Sequence, residues 1–208
     1  MSATAAALDV VLARVRDAPA RLGPGATDAG DPKRRAVQLV CIDGPAGSGK
    51  TSLAWQIAAV TGAHVVHMDD LYDGWSGLLD VHVRVREQIL APMAHGDTGC
   101  YQRYDWHAGQ FAEWVRVPRA PLLVLEGCGA GSRVAERYLG LLIWVSAPDG
   151  LRLRRGLERD GFELEPQWRA FMADEQILYA RERTAERADL HLDAWGALVA
   201  GGAEQTWT

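Results

Sequence analysis

The feature that most constrains this chain is the break in patterning across residues 40–52, "VCIDGPAGSGKTS". An apolar run stops at Asp43. Gly44, Gly47 and Gly49 follow within six positions, and then come Lys50, Thr51 and Ser52. Gly44-Pro45-Ala46-Gly47-Ser48-Gly49-Lys50-Thr51 fits the pattern G-x-x-x-x-G-K-[ST]. Glycines reach positive φ, so successive backbone N–H groups can converge on phosphate oxygens. A helix starting there adds its positive end. Lys50 can then reach the β- and γ-phosphates, and Thr51 can ligate Mg²⁺. The pattern requires a buried strand before it and a helix after it, and "RAVQLVCID" (35–43) and residues 49–61 supply both. It calls for a nucleoside triphosphate, ATP, with Mg²⁺.

The rest of the chain alternates in the same way. Leu8, Val11, Leu12 and Val15 recur at helical spacing, so a helix is expected over 4–17, within an N-terminal element spanning 1–18. The Pro/Gly-rich residues 18–33 read as a loop. Strands are expected at 63–68, 120–127, 139–146 and 188–193. Residues 80–94 alternate like a strand at "VHVRVR", but their length favours a helix. "GCYQRYDWHAGQFAEWVRV" (99–117) reads as a β-hairpin off the main sheet. Short helices are expected at 132–138 and 149–160, and a long one over 166–187. Three strands are apolar throughout, as in a parallel sheet covered on both faces. The expectation is an α/β fold in one domain spanning 1–208: three layers around a central five-stranded parallel sheet, with a hairpin excursion and an Arg-rich segment at 150–166.

The formal net charge of −5 argues against broad nucleic-acid or membrane-surface binding. No apolar run approaches the ~20 residues of a membrane span, and the first twenty residues do not resemble a signal peptide. Cys41, Cys100 and Cys128 lack metal or redox spacing, which suits reduced thiols in the cytoplasm. Lys33 and Lys50 are the only lysines, so arginine carries nearly all the positive charge.

Groups that act beside the loop should sit at the C-terminal strand ends. "HMDDLY" places Asp69 and Asp70 there, as candidates for a base that takes a hydroxyl proton or as a polar strand cap. "LLVLEG" places Glu126 at the same edge, where an acid can hold Mg²⁺. Arg152, Arg155 and Arg159 share a helical face, Arg154 lies off it, and such a face can close over phosphates.

These elements, in this order, resemble the uridine kinase-like branch of P-loop small-molecule kinases, which also holds phosphoribulokinase-like and pantothenate kinase-like members. "GPAGSGKTS" resembles that branch's phosphate loop and "MDDLY" its D-x-F-Y segment. "YDW" (104–106) resembles the Y-D-F of its substrate hairpin, "VLEG" its metal-acid strand, and "DGLRLRRGLERD" (149–160) its lid helix. The resemblance spans residues 36 to about 192. It implies in-line transfer of the ATP γ-phosphate to a hydroxyl of a nucleoside or related small molecule. Asp69 would be the base, Lys50, Arg155 and Arg159 would neutralise charge, Thr51 and Glu126 would hold Mg²⁺, and Tyr72, Tyr104 and Trp106 would line the acceptor pocket. Between Tyr72 and the next helix the branch's nucleoside kinases carry a longer segment, where this chain has only "DGWSGLLD".

Two other readings stay open. A nucleoside monophosphate kinase would need arginines on the acceptor phosphate, for which Arg84, Arg86 and Arg103 are available. A nucleotide-dependent switch would transfer nothing. The acceptor and the oligomeric state are open, with a homo-oligomer compatible. The six histidines show no ligand spacing; His107, beside Tyr-Asp-Trp, is the one to test. Trp55, Trp144 and Trp168 read as core, whereas Trp75 and Trp106 could stack on an acceptor. Asp43 either orients the loop or ends the strand. Cys41 and Cys128 read as small buried apolar residues.

Overall fold

In the computed structural model, residues 3–24 and 35–201 are described. The sheet forms from apolar runs bounded by polar residues. Five strands run parallel in the order β3 (His64–His67), β6 (Leu122–Glu126), β2 (Val37–Asp43), β7 (Leu141–Val145), β8 (Leu190–Leu192). A sixth, β1 (Ala20–Leu22), pairs antiparallel to the start of β2. It falls within the segment expected to be loop, where Ala20 and Leu22 pair with Gln38 and Val37 at the start of β2. The sheet is otherwise the five-stranded parallel one expected.

Alternation along β2 divides the core. Leu39 and Cys41 point to one side, Val40 and Ile42 to the other. The Val40 side is covered by α1 (Ala3–Asp17), through Val11, Leu12 and Val15, and by α2 (Lys50–Thr61), through Leu53, Ala54 and Ile57. The Leu39 side is covered by the helical stretch from α3 (Val81–Arg84) to α4 (Ala91–Ala94) and by α6 (Glu165–Glu182). In residues 80–94 helical periodicity wins over local alternation: Val81, Val85, Ile89 and Met93 are all buried. Between α3 and α4 the turn widens to a π-helix, Val85–Leu90, with the Ala91 N–H bonded to the Arg86 carbonyl. Pro92 has no N–H to offer Gln88, so the ordinary ladder cannot continue there.

The expected hairpin is β4 (Gly99–Asp105) with β5 (Gln110–Val117). The helix expected over 166–187 is broken. α6 ends at Glu182, Arg183 turns left-handed at φ 52°, and α7 (Thr184–Arg187) follows. Trp55, expected in the core, is 64 % exposed on α2.

Register carries the chemistry to one edge. Ile42 and His67 both pair with Glu126, and Asp43 with Trp144, so β2, β3, β6 and β7 all end beside the phosphate loop. α5 (Asp149–Asp160) starts just past β7 and packs on α6 at Gly156, where an added Cβ would lie 2.2 Å from the Trp168 ring. Replacing Gly156 by Ala should therefore destabilise the protein by about 1–3 kcal/mol through overpacking, despite alanine's better helix propensity. Chemical denaturation measures this; an unchanged or higher midpoint contradicts the close α5–α6 contact.

Candidate active site

The loop after β2 is built on glycine. Gly44, Gly47 and Gly49 have φ of 139°, 77° and 110°. A Cβ on Gly44 would lie 2.0 Å from the Val145 carbonyl oxygen, and one on Gly47 2.6 Å from that of Arg152. Side chains are thus excluded both by backbone conformation and by the close approach of β7 and α5.

A buried carboxylate holds the loop in place. Asp43 Oδ1 accepts from the N–H of Gly44 (2.7 Å) and Gly129 (2.9 Å) and from the Tyr179 hydroxyl (2.9 Å). Its Oδ2 accepts from the Gly131 N–H (2.8 Å). Asp43 therefore does more than end a strand: it joins the loop, the turn after β6 and α6. Burial raises its pKa, and the Gly131, Gly44 and Gly129 N–H groups and Lys50 act in the opposite sense.

A second carboxylate fixes Ala46. Glu175 on α6 is 1 % exposed. It accepts the Ala46 N–H through Oε1 (2.5 Å) and the Arg152 guanidinium through Oε2 (2.7 Å). Arg152 also donates to Asp149 (2.9 Å) and to the Ala46 carbonyl (3.5 Å). The Ala46 peptide is thus held from both sides. Arg152, expected on the phosphate-facing stripe, is committed to this pair.

Lys50 is 6 % exposed and donates to the Pro45 carbonyl (2.9 Å). Burial disfavours its charge, but the Cys128 sulfur with Glu126, Glu175 and Asp43 outweighs that and raises its pKa. Thr51 Oγ1 donates to both oxygens of Glu126 (3.1 and 3.3 Å). His67 Nδ1 lies 2.5 Å from Glu126 Oε1, and this bond raises the histidine pKa despite partial burial. A hydroxyl and a carboxylate side by side are hard oxygen donors that fit Mg²⁺, which takes few protein ligands.

Lys50, Thr51, Glu126 and Cys128 line one cleft of about 1100 Å³, room for two small molecules. One end is walled by Leu8, Gln56, Arg155, Ala194 and Trp195. Arg155 donates to the carbonyls of Gly47 (3.1 Å) and Ala194 (3.2 Å). The other end is walled by Tyr72, Trp75, Trp106, Trp168 and Phe171, with Asp69, Asp70, His107, Arg159 and Asp160. Asp69 is solvent-accessible within the cleft, yet protein crowds it. That desolvation, reinforced by Glu126, raises its pKa, while Lys50, Arg159 and His67 act to lower it.

Gly44 and Pro45 form the rear of the loop, and residues 46–52 line the cleft. Tyr72 reaches the lining from the core, its hydroxyl donating to the Cys128 carbonyl (2.8 Å). Tyr104 does not reach the lining. It is buried behind Trp106, edge-on at 5.2 Å. Cys128, read as merely apolar, lies 3.7 Å from Lys50 Nζ. Trp168, read as core, is both buried and part of the cleft wall. Glu175, His67 and Trp195 gave no sequence signal as site residues, because each reaches the site only through tertiary packing.

Changing Glu175 to Gln removes the buried counter-charge of Arg152 and leaves it only the exposed Asp149. Stability should fall by about 3–5 kcal/mol, and changing Arg152 to Met as well should restore much of it. Urea unfolding of the single and double variants measures this; equal losses in both contradict a coupled pair.

No family model matches the sequence, and no curated protein matches it. Solved structures do. A possible uridine kinase from Bacillus stearothermophilus superimposes with a TM-score of 0.62 at 15% identity, covering 90% of this chain and 98% of its own. A candidate fructose transport system kinase from Silicibacter sp. TM1040 gives 0.50 at 20% identity, covering 90% and 95%. At these identities the likeness is one of architecture: the chain has the fold of the P-loop kinases.

Proposed function

We propose that the protein is an ATP-dependent phosphotransferase that moves the γ-phosphate to a hydroxyl of an unphosphorylated small molecule. The observation that carries this is the continuity of the cleft. Phosphate loop, Thr51–Glu126 pair and Asp69 line one space whose far end is walled by aromatic side chains.

The loop N–H groups and Lys50 would bind the β- and γ-phosphates. The end lined by Arg155, Ala194 and Trp195 would take the base, with Trp195, 62 % exposed, offering a stacking face. Thr51 and Glu126 would hold Mg²⁺, which would supply positive charge to offset the charge that develops during transfer. Asp69 would orient the acceptor hydroxyl and take its proton as the oxygen attacks. Arg159 would meet charge on the transferring group, and α5 would serve as the lid.

A phosphorylated acceptor fits less well. Arg84 stacks on Phe111, Arg86 pairs with Glu87, and Arg103 is held bidentately by Glu113. None of the three lines the cleft. A switch without transfer has no use for the acid-and-aromatic half of the site. A nucleoside acceptor remains what the resemblance to the Bacillus stearothermophilus protein suggests.

Asp69→Asn should lower kcat about 10²–10⁴-fold with little change in the KM for ATP. In the wild type, kcat/KM should fall as pH drops, with a limb above the ordinary carboxylate range because the Asp69 base form is lost there. That limb should vanish in the variant. Near wild-type activity of Asp69→Asn contradicts the hydroxyl-transfer reading.

Trp195→Ala should raise the KM for ATP about tenfold with kcat kept, the loss of one base-stacking contact. An unchanged KM places the base elsewhere.

A further inference from the structure

The walls of the far half of the cleft have a particular geometry. Trp75 is their hub. It meets Trp106 at 5.6 Å and 74°, Trp168 at 6.1 Å and 64°, and Phe171 at 6.1 Å and 86°. A flat ring covered on both of its faces needs a slot between near-parallel walls. Rings that meet at steep angles make a corner instead, and such a corner suits a rounded cation drawn to aromatic faces.

The charges point the same way. Asp69, Asp70 and Asp160 line this half. Beyond the phosphate loop, Arg159 is the only arginine or lysine on it among the described residues. Arg159 is already bound to Asp160 by two hydrogen bonds (2.7 and 2.9 Å) and lies 5.8 Å over the Trp168 ring. Asp160 also accepts from Trp168 Nε1 (3.1 Å). That pair is self-neutralised. Asp70 accepts the neutral Tyr101 hydroxyl on Oδ2 (3.0 Å) and forms no ion pair among the described residues; the cations that act on it at longer range, Arg103 and His67, are bound to Glu113 and Glu126. Trp106 is tied to the same turn by its Nε1, which donates to the Asp69 backbone carbonyl (3.1 Å). An anionic acceptor would meet like charge here, and a cation would meet Asp70 and three tryptophans.

We infer that the acceptor is a cationic alcohol, a small molecule carrying a protonated or quaternary amine beside the hydroxyl that receives phosphate. This rests on the kinase reading above. The amine sits in the corner of Trp75, Trp106 and Trp168 with Asp70 as its counter-charge, and its hydroxyl faces Asp69. The step balances as in any kinase. The hydroxyl oxygen forms a bond to the γ-phosphorus, the bond from that phosphorus to the β–γ bridging oxygen breaks, ADP leaves, and the hydroxyl proton passes to Asp69.

Two experiments test this separately from transfer. First, tetramethylammonium chloride is titrated into the protein while tryptophan fluorescence is followed, with sodium chloride and tert-butanol as controls. A saturable change specific to the cation is expected, about tenfold weaker in both Trp106→Ala and Asp70→Asn. A response matched by sodium chloride, or one that survives both variants, overturns the site. Second, ester formation from ATP is measured for amino alcohols, their uncharged isosteres, nucleosides, sugars and phosphorylated alcohols. The charged member of each isosteric pair should lead by about tenfold or more in kcat/KM, and Asp70→Asn should shrink that ratio. Preference for a neutral or anionic acceptor overturns the cationic class and leaves the kinase reading standing. Saturable cation binding with no ester from any class overturns the kinase reading, and with it the assignment of the cation as acceptor.

Discussion

The site depends first on one buried carboxylate. Asp43 gathers the N–H groups of Gly44, Gly129 and Gly131 and the hydroxyl of Tyr179. Three chain segments that are distant in sequence thereby share one acceptor group. Without it, three buried donors and a buried hydroxyl would lack partners, each at a cost of about 1–3 kcal/mol. Desolvation works against the charged form, and three backbone hydrogen bonds and Lys50 work for it. A charge this costly to bury is tolerated because it sets the start of the phosphate loop relative to the turn that carries Cys128.

Glu175 and Arg152 extend that logic to the middle of the loop. A buried ion pair is weak support for stability, since a well-packed apolar pair of similar volume often does as well. Its value here is geometric. It fixes both the N–H and the carbonyl of Ala46 and ties α5, which carries Arg155 and Arg159, to the loop. The remaining charges are distributed accordingly. Lys50 stays cationic among acids, Thr51 and Glu126 form an oxygen pair, and the far half of the cleft is left acidic and aromatic.

Local patterns were legible in the sequence, and pairings across the fold were not. The strand–loop–helix unit follows from residues 36–61 alone, because glycine spacing and apolar run sit side by side. The place of Glu126 was legible because a polar residue ending an apolar strand has only one edge to emerge from, and that of Asp69 because it lies in the turn just past the end of β3. Glu175 was not, since a glutamate inside an amphipathic helix looks solvated until α6 is packed against the loop. Trp55 misled because its helix is apolar on more than one face, and the exposed face holds it. Trp168 shows the opposite: core and cleft wall are the same surface where a cavity reaches into the core. β1 escaped notice because three residues in a Pro/Gly-rich stretch carry no periodicity, and their strand exists only by pairing with β2.

The account stands or falls on where the γ-phosphate goes. Phosphorus-31 NMR of the protein with Mg²⁺, ATP and a mixed pool of small alcohols follows it directly. Loss of the γ-signal with matching growth of ADP and a new phosphomonoester resonance, dependent on the pool, is the predicted result. ADP with inorganic phosphate alone, at a rate indifferent to the pool, would contradict it.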